Sequence, residues 1–314
     1  MTWLVTGGAG YIGANFLHQA QQDFIVIDDL STGFANRIKN NNILYQVNLQ
    51  NIKDIDLVFN QHKISGVIHF AAKKQVAESV LKPDFYHEQN VGGFNNLIKT
   101  MHKHSVKKLV FSSSASVYGQ PETDELIKET DNCNPINPYG LTKLNCEKIA
   151  KQYVDNFDFA VIALRYFNVA GSNNPELIDR FTFNLIPIVL DQIKNKKQPV
   201  VFGNNYDTPD GSCIRDYIHV TDLADAHILA MDYLESVDSK FDVFNVGTGT
   251  GNSVLEVLSM IEKVADTKLN PEIREARSGD PSRLVADVEK IRKTLNWESK
   301  KSLLEIVADS FIEF

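Results

Sequence analysis

Hydrophobic residues in the first half of the chain come in short β-branched runs that lack polar alternation: Trp3–Thr6, Phe24–Ile27, Val67–Phe70, Lys108–Ser112 and Phe159–Arg165. Strands of that kind are buried on both faces, as in a parallel sheet covered by helices. Between the first two runs, Ile12, Phe16, Leu17 and Ala20 recur at helical spacing. The alternation predicts an α/β fold, a doubly wound parallel sheet spanning residues 1–169.

After Gly171-Ser172-Asn173-Asn174-Pro175 the rhythm becomes irregular. A helix-like Phe183–Lys194 is followed by Pro199, Pro209 and a loop rich in Gly, Asn and Asp. Ser253 and Glu256 form a capping box that opens a helix with Val254, Val257, Leu258, Ile261, Val264 and Ala265 at the helical period. These features predict a smaller α+β domain over 170–314, the substrate side, with 216–224 and 243–247 returning to the first domain.

Composition narrows the class. A chain of 314 residues suits two domains at roughly 150 residues each. Hydrophobic residues at 43% and charged residues at 23% exclude a disordered or collagen-like chain. The net charge of −8 argues against general affinity for nucleic acid or an anionic membrane. Apolar stretches such as Phe24–Ile27 and Phe159–Leu164 fall far short of the roughly 20 residues of a membrane span. Met1 leads almost at once into the strand-like Trp3-Leu4-Val5-Thr6, which does not read as a secretory leader. Cys133, Cys146 and Cys213 have neither disulfide nor metal-ligand spacing, which fits a reducing cytosol. The expectation is a cytoplasmic protein with no metal site.

Candidate chemistry begins at Gly8-Ala9-Gly10-Tyr11-Ile12-Gly13, which follows the first strand and opens a helix; Gly7, Gly10 and Gly13 also stand three apart. Glycines permit the tight turn, the close approach of backbone N–H groups to a pyrophosphate, and close helix–sheet packing. The helix N-terminus adds partial positive charge. A glycine triplet alone can be just a turn. Here the second strand delivers Asp28-Asp29, with Asp28 placed 20 residues after Gly8. A carboxylate there binds adenosine ribose hydroxyls and repels a 2′-phosphate, favouring NAD over NADP on a Rossmann domain.

Ser112-Ser113-Ser114 ends another strand, and Tyr139-Gly140-Leu141-Thr142-Lys143 starts a helix after Pro138. A separation of four puts Tyr139 and Lys143 on one helix face. A free phenol ionises near pH ~10, so a nearby ammonium and a bound nicotinamide cation are needed to lower it. Ser114 is placed to hydrogen-bond the reacting oxygen. A tyrosine and a lysine four apart are more often packing plus a solvated charge; the phosphate loop and the serine-ended strand raise the pair to a catalytic candidate.

With these segments in view, the chain resembles the extended short-chain dehydrogenase/reductase family, and within it the UDP-glucose (UDP-galactose) 4-epimerases. The resemblance runs from Trp3 to about Trp297 and rests on Thr6–Gly13, Ser112–Gly119, Asn137–Gly140, Leu164–Asn168 and Arg215–Val220. It implies a tightly held NAD, Tyr139 as acid/base, Lys143 on the nicotinamide ribose and Ser114 on the sugar hydroxyl. It also implies a cofactor shell of Gly7, Gly10, Tyr11, Ile12, Gly13, Asp28, Asp29, Asn48, Leu49, Phe70, Lys74, Asn90 and Tyr166. Asn48 stands where many relatives have Asp beside the adenine. For UDP the resemblance implies Asn168, Asn184, Leu185, Val200, Phe202, Arg215, Arg277 and Asp280. Their chemistry suits it: both arginines can fork onto diphosphate oxygens, and Phe202 can line the uracil face.

Related 4,6-dehydratases carry an Asp-Glu pair where this chain has Ala115 and Ser116, neither of which serves as the general acid of an elimination. His219 and Asp222 read as a packed strand histidine and a helix-start acid. Leu284 falls where epimerases control the room around sugar carbon 2, leaving N-acetylhexosamines open. The family commonly dimerises through two helices, here around 92–104 and 139–156. The leading expectation is an isomerase that inverts sugar carbon 4 through a transient 4-keto intermediate. A UDP-N-acetylglucosamine 4-epimerase, a dehydrogenase or decarboxylase on another nucleotide sugar, and a non-catalytic NAD sensor stand as alternatives.

Overall fold

In the computed structural model, which describes residues 2–39, 41–277 and 280–311, the apolar runs of the first half become strands of one seven-stranded sheet. They are β1 (Thr2–Thr6), β2 (Phe24–Asp28), β3 (Ile43–Gln46), β4 (Ile64–His69), β5 (Lys108–Ser112) and β6 (Ala160–Tyr166). The order across the sheet is β3-β2-β1-β4-β5-β6, with Lys240–Val246 as the outer seventh strand. The pairings from β3 through β6 are all parallel. This is the doubly wound order, and it explains the missing polar alternation: all five residues of β2 are buried, as are residues 109–112 of β5.

The chain divides into two units. The first comprises Met1–Gly119, Cys133–Arg165 and Ala224–Phe244. Its core packs Leu4, Ile25 and Ile27 with Phe94, Leu97 and Ile98 and with Phe111, Cys146 and Ala150. The helix Pro138–Phe157 dominates one side. Pro138 occupies its first turn and the Asn137 side chain accepts the Gly140 N–H at 2.8 Å, so an unpaired amide at the helix start is satisfied. At its other end Asp158 takes the left-handed conformation, φ 56°, and stops it.

The second unit comprises Gln120–Asn132, Tyr166–Leu223 and Asn245–Phe314. Its helices Leu185–Lys194, Val254–Ala265 and Leu303–Ala308 contribute Ile186, Val189, Leu190, Val257, Leu258, Ile261, Ile306 and Val307 to a second core. The capping box at Ser253 is fully made: its N–H donates to the Glu256 carboxylate at 2.7 Å and its hydroxyl accepts the Glu256 N–H at 3.0 Å. Ser302 and Glu305 form a second one.

Two domain expectations need correction. Of the stretch 216–224, residues 216–223 belong to the second unit and only Ala224 to the first. Strand Ile214–His219 is flanked by Asn168–Ala170, Gly251–Ser253 and Arg283–Leu284, so its backbone hydrogen bonds are taken within the second unit. Residues 120–132 also leave the first domain, because Ile127 donates its N–H to Val285 O at 2.9 Å and bridges to Ala286. Among the described residues no helix is long and apolar enough to cross a membrane.

Candidate active site

The glycine turn sits at the C-terminal end of β1. Gly7 donates its N–H to Ile27 O at 2.8 Å and adopts φ +73°, and the turn closes with Gly10 N–H on Gly7 O at 3.2 Å. A Cβ on Gly13 would stand 2.3 Å from that same Gly7 oxygen. Helix Tyr11–Gln19 starts from Gly10, and among the described residues no side chain caps it there. With glycine at 7, 10 and 13, the turn leaves the first N–H groups of the helix open to close approach, which is what a pyrophosphate requires. Gly13→Ala forces this turn open; the expected result is purified protein that has lost most of its dinucleotide by absorbance yet keeps its far-UV circular dichroism.

Asp28, at the end of β2, is buried, and one of its oxygens faces this turn while the other faces the loop after β2. Oδ2 accepts the Ala9 N–H at 2.9 Å and Oδ1 the Leu30 N–H at 2.8 Å. Burial raises its carboxyl above the ordinary range, with the Leu30 and Ala9 donors pulling it back. Asp29 is half-buried; it accepts from Ser31 and, at 3.2 Å, from the Asn48 amide. Asn48 in turn accepts the Gln50 N–H at 2.8 Å, and Leu49 O takes the Asn96 amide at 2.9 Å. Lys74 Nζ lies 5.8 Å from the Tyr11 ring centroid. Phe70 is held at the end of β4 by its N–H on Thr6 O at 3.0 Å. Ile12 is half-buried on the helix, and Tyr166 ends β6 half-buried. Asn90 accepts the Lys73 N–H at 2.8 Å, donates to Lys73 O at 3.0 Å and to Thr142 Oγ1 at 3.1 Å, so it braces a loop to the long helix.

The serine, tyrosine and lysine do come together. Tyr139 lies in the first turn of helix Pro138–Phe157, its N–H donating to Ser79 Oγ at 3.2 Å. Its side chain is buried, and burial pushes the phenol up to about 12 against a hydrogen bond from Ser114 that lowers it. Lys143, one turn on, is 2% exposed. Burial brings its ammonium down to about 8, while Cys146 and Glu147 hold it up. It donates to Ser112 O at 2.7 Å, and its Nζ stands 5.9 Å from the Tyr139 ring centroid and 5.1 Å from that of Phe111. Ser114 also accepts the Ser116 N–H at 3.2 Å, which opens a short 3-10 turn through Ala115–Val117.

Residues that sequence reasoning missed surround this trio. Ser79 caps Tyr139, and Thr142 donates to Tyr139 O at 2.7 Å. Glu147 accepts from Ser113 Oγ at 2.5 Å and pairs with Arg165 at 2.6 Å. The signal for Glu147 was present: it stands four residues beyond Lys143, on the same face.

On the second unit, Arg215 donates to Asp280 at 2.5 Å and to Ile214 O at 2.8 Å. Arg277 is exposed, with its guanidinium 4.0 Å from the Phe202 ring centroid. Phe202 and Val200 lie on one short strand paired in parallel with Glu272–Arg274. Leu284 stands in register with Arg215, and Asn168 with Tyr217. Asn184 precedes helix Leu185–Lys194 and donates to Asp179 at 3.5 Å. Asp216 is buried and accepts from Thr248, Gly249 and Ala286, so it shapes a loop. His219 is buried against Thr221 and Asp309, and Asp222 accepts the N–H groups of Lys300 and Lys301. Both are engaged in packing, as the sequence suggested.

The family model for the NAD dependent epimerase/dehydratase family matches residues 3–247. A UDP-glucose 4-epimerase from Halalkalibacterium halodurans is 42% identical over 98% of this chain and 94% of its own. One from Bacillus subtilis is 41% identical over 99% of this chain and 96% of its own. Among solved structures, UDP-glucose-4-epimerase from Stenotrophomonas maltophila with bound NAD and formylated UDP-arabinopyranose matches at TM-score 0.93 and 33% identity, covering 99% of this chain and 97% of that one. UDP-glucose 4-epimerase from Bifidobacterium longum in complex with NAD+ and UDP matches at TM-score 0.91 and 35% identity, with 99% and 97% covered.

Proposed function

The chain belongs to the NAD dependent epimerase/dehydratase family, and from that premise we propose that it is an isomerase interconverting UDP-glucose and UDP-galactose through a 4-keto intermediate. The observation that carries the reading is the buried trio of Ser114, Tyr139 and Lys143 in the same unit as the glycine turn that opens helix Tyr11–Gln19. The turn at Gly7, Gly10 and Gly13, with Tyr11 and Ile12 opening the helix, suits a pyrophosphate. Asp28 and Asp29 suit the adenosine ribose, and Asn48, Leu49, Phe70, Lys74, Asn90 and Tyr166 complete the assignment.

When bound, NAD supplies a reversible hydride acceptor and a cationic ring, so one coenzyme serves both the oxidation and the return. Tyr139 takes the proton of the sugar C4 hydroxyl, and Ser114 holds that oxygen by a hydrogen bond. The phenol at about 12 is a poor base by itself. The Lys143 ammonium, fixed on Ser112 O, favours the phenolate, as does the cationic ring. The ketose turns about its link to the diphosphate while Arg215 and Arg277 hold the phosphates, Phe202 and Val200 the base, and Asn168, Asn184, Leu185 and Asp280 the remaining polar contacts. Tyr139 then returns its proton to the inverted alkoxide. Anchoring the nucleotide confines the intermediate for the second half-reaction. The proposal includes a cytoplasmic homodimer, on family analogy.

The test is incubation of the purified protein with UDP-galactose and no added coenzyme, followed by NMR. UDP-glucose is the expected product at a ratio independent of the starting epimer. Net release of NADH, or turnover only when coenzyme is added, supports a dehydrogenase instead. UDP-N-acetylglucosamine in the same panel reads the room beside Leu284.

A further inference from the structure

Helix Pro138–Phe157 presents Tyr139, Lys143 and Glu147 at successive turns, and the three meet three consecutive residues at the end of β5. Ser114 bonds the Tyr139 phenol, Lys143 donates to Ser112 O at 2.7 Å, and Ser113 Oγ donates to Glu147 at 2.5 Å. Glu147 is 4% exposed. It also accepts from Arg165, Nε at 2.9 Å and a terminal nitrogen at 2.6 Å, while Arg165 also donates to the Tyr118 hydroxyl at 3.0 Å. Arg165 follows Leu164, the residue in register with Ser112 across β5 and β6, and Leu164 O accepts the Ser113 N–H at 2.8 Å.

We propose that Glu147 is a positioning residue for the reaction assigned above: through Ser113 and Arg165 it fixes the strand end from which Ser112 and Ser114 reach Lys143 and Tyr139. Arg165 forms the ion pair with the Glu147 carboxylate. The hydroxyl of Ser113 on the same carboxylate ties that pair to the residue between the two that serve the trio. The groups around Lys143 make Glu147 its counter-charge as well. Tyr139 and Cys146 on its own helix are both protonated at neutral pH, the thiol pushed up to about 12 by burial. His69 on β4 is brought down to about 3 by burial and by Lys143 itself, so it is neutral. Phe111 on β5 offers only its ring.

This inference rests on the epimerase reading, and two independent readouts separate them. The first uses no turnover. Stability is measured from pH 6 to 11 for the wild type and Glu147→Gln, each with and without Lys143→Met. The contribution that disappears with Lys143→Met changes between about pH 8 and 10.5 in the wild type. In the Glu147→Gln background that window opens about one pH unit lower, since an opposite charge has been removed. The second readout is turnover: Glu147→Gln lowers kcat by about 10- to 100-fold with KM within about threefold, the signature of displaced groups rather than lost binding. Ser113→Ala, which keeps the ion pair, lowers kcat in the same direction by about three- to tenfold. An unmoved window together with wild-type kcat in both variants overturns the proposal. If Glu147→Gln fails to fold, Ser113→Ala decides, and a wild-type rate there overturns it. A wild type that turns over no UDP-hexose sinks the epimerase reading, while the pH window still decides whether Glu147 acts on Lys143.

Discussion

Tyr139→Phe lowers kcat by about a thousandfold and leaves the melting temperature nearly unchanged, the outcome expected when one general acid/base hydroxyl is removed from a packed ring. The ring is buried and keeps its contacts, and the lost oxygen has Ser114 as its hydrogen-bond partner. In the proposed mechanism what disappears is the group that takes and returns the C4 proton, so both directions of the conversion slow equally. NMR time courses from UDP-galactose and from UDP-glucose, with circular dichroism on the same samples, check this. A variant that turns over at the wild-type rate removes Tyr139 from the mechanism.

The second large effect runs in opposite directions for stability and activity. Lys143 is fully enclosed, and its ammonium falls from the usual 10.5 to about 8. Between those values the unfolded chain binds the additional proton, so stability rises with pH across that window. Below about pH 8 the buried charge costs about 3 kcal/mol, and above about 10.5 the cost vanishes. Lys143→Met removes the charge and loses one hydrogen bond to Ser112 O, itself worth about 1 kcal/mol. At pH 7 the variant is therefore expected to melt several degrees higher than the wild type, with the advantage shrinking towards pH 10.5, while kcat falls by at least about a hundredfold. Thermal melts at pH 7 and pH 10.5 beside the NMR assay decide it. A lower melting temperature at pH 7 means that the packing around Lys143 depends on its ammonium.

Much of this was legible in the sequence because the signals are local. A short β-branched run such as Phe24–Ile27 with no polar alternation reads as a strand covered on both faces, and it is one. The spacing from Tyr139 to Lys143 fixes a shared helix face before any coordinates exist. The capping box at Ser253 is likewise a four-residue pattern. The missed features are those that need long-range partners. Ile214–His219 is as fully buried as β2 of the first unit, and only its pairing with three short strands assigns it elsewhere. Glu147 looks like an ordinary helix acid until Ser113 and Arg165 arrive from two strands. The substrate-side residues were reached by resemblance rather than by pattern, because Arg277 or Asn184 alone reads as a loop residue.

The two backbone amides on Asp28 bear on attempts to redesign coenzyme preference. Replacing this acid with a small or basic residue is the obvious route to accepting a phosphorylated ribose. Here the same carboxylate is the staple for Ala9 and Leu30, and Gly33 leaves room for no more than that oxygen beside it. An engineer who swaps Asp28 by itself unpins the neighbouring turn along with the selectivity. A workable switch has to supply substitute acceptors for both amides first, and only then invite the larger nucleotide.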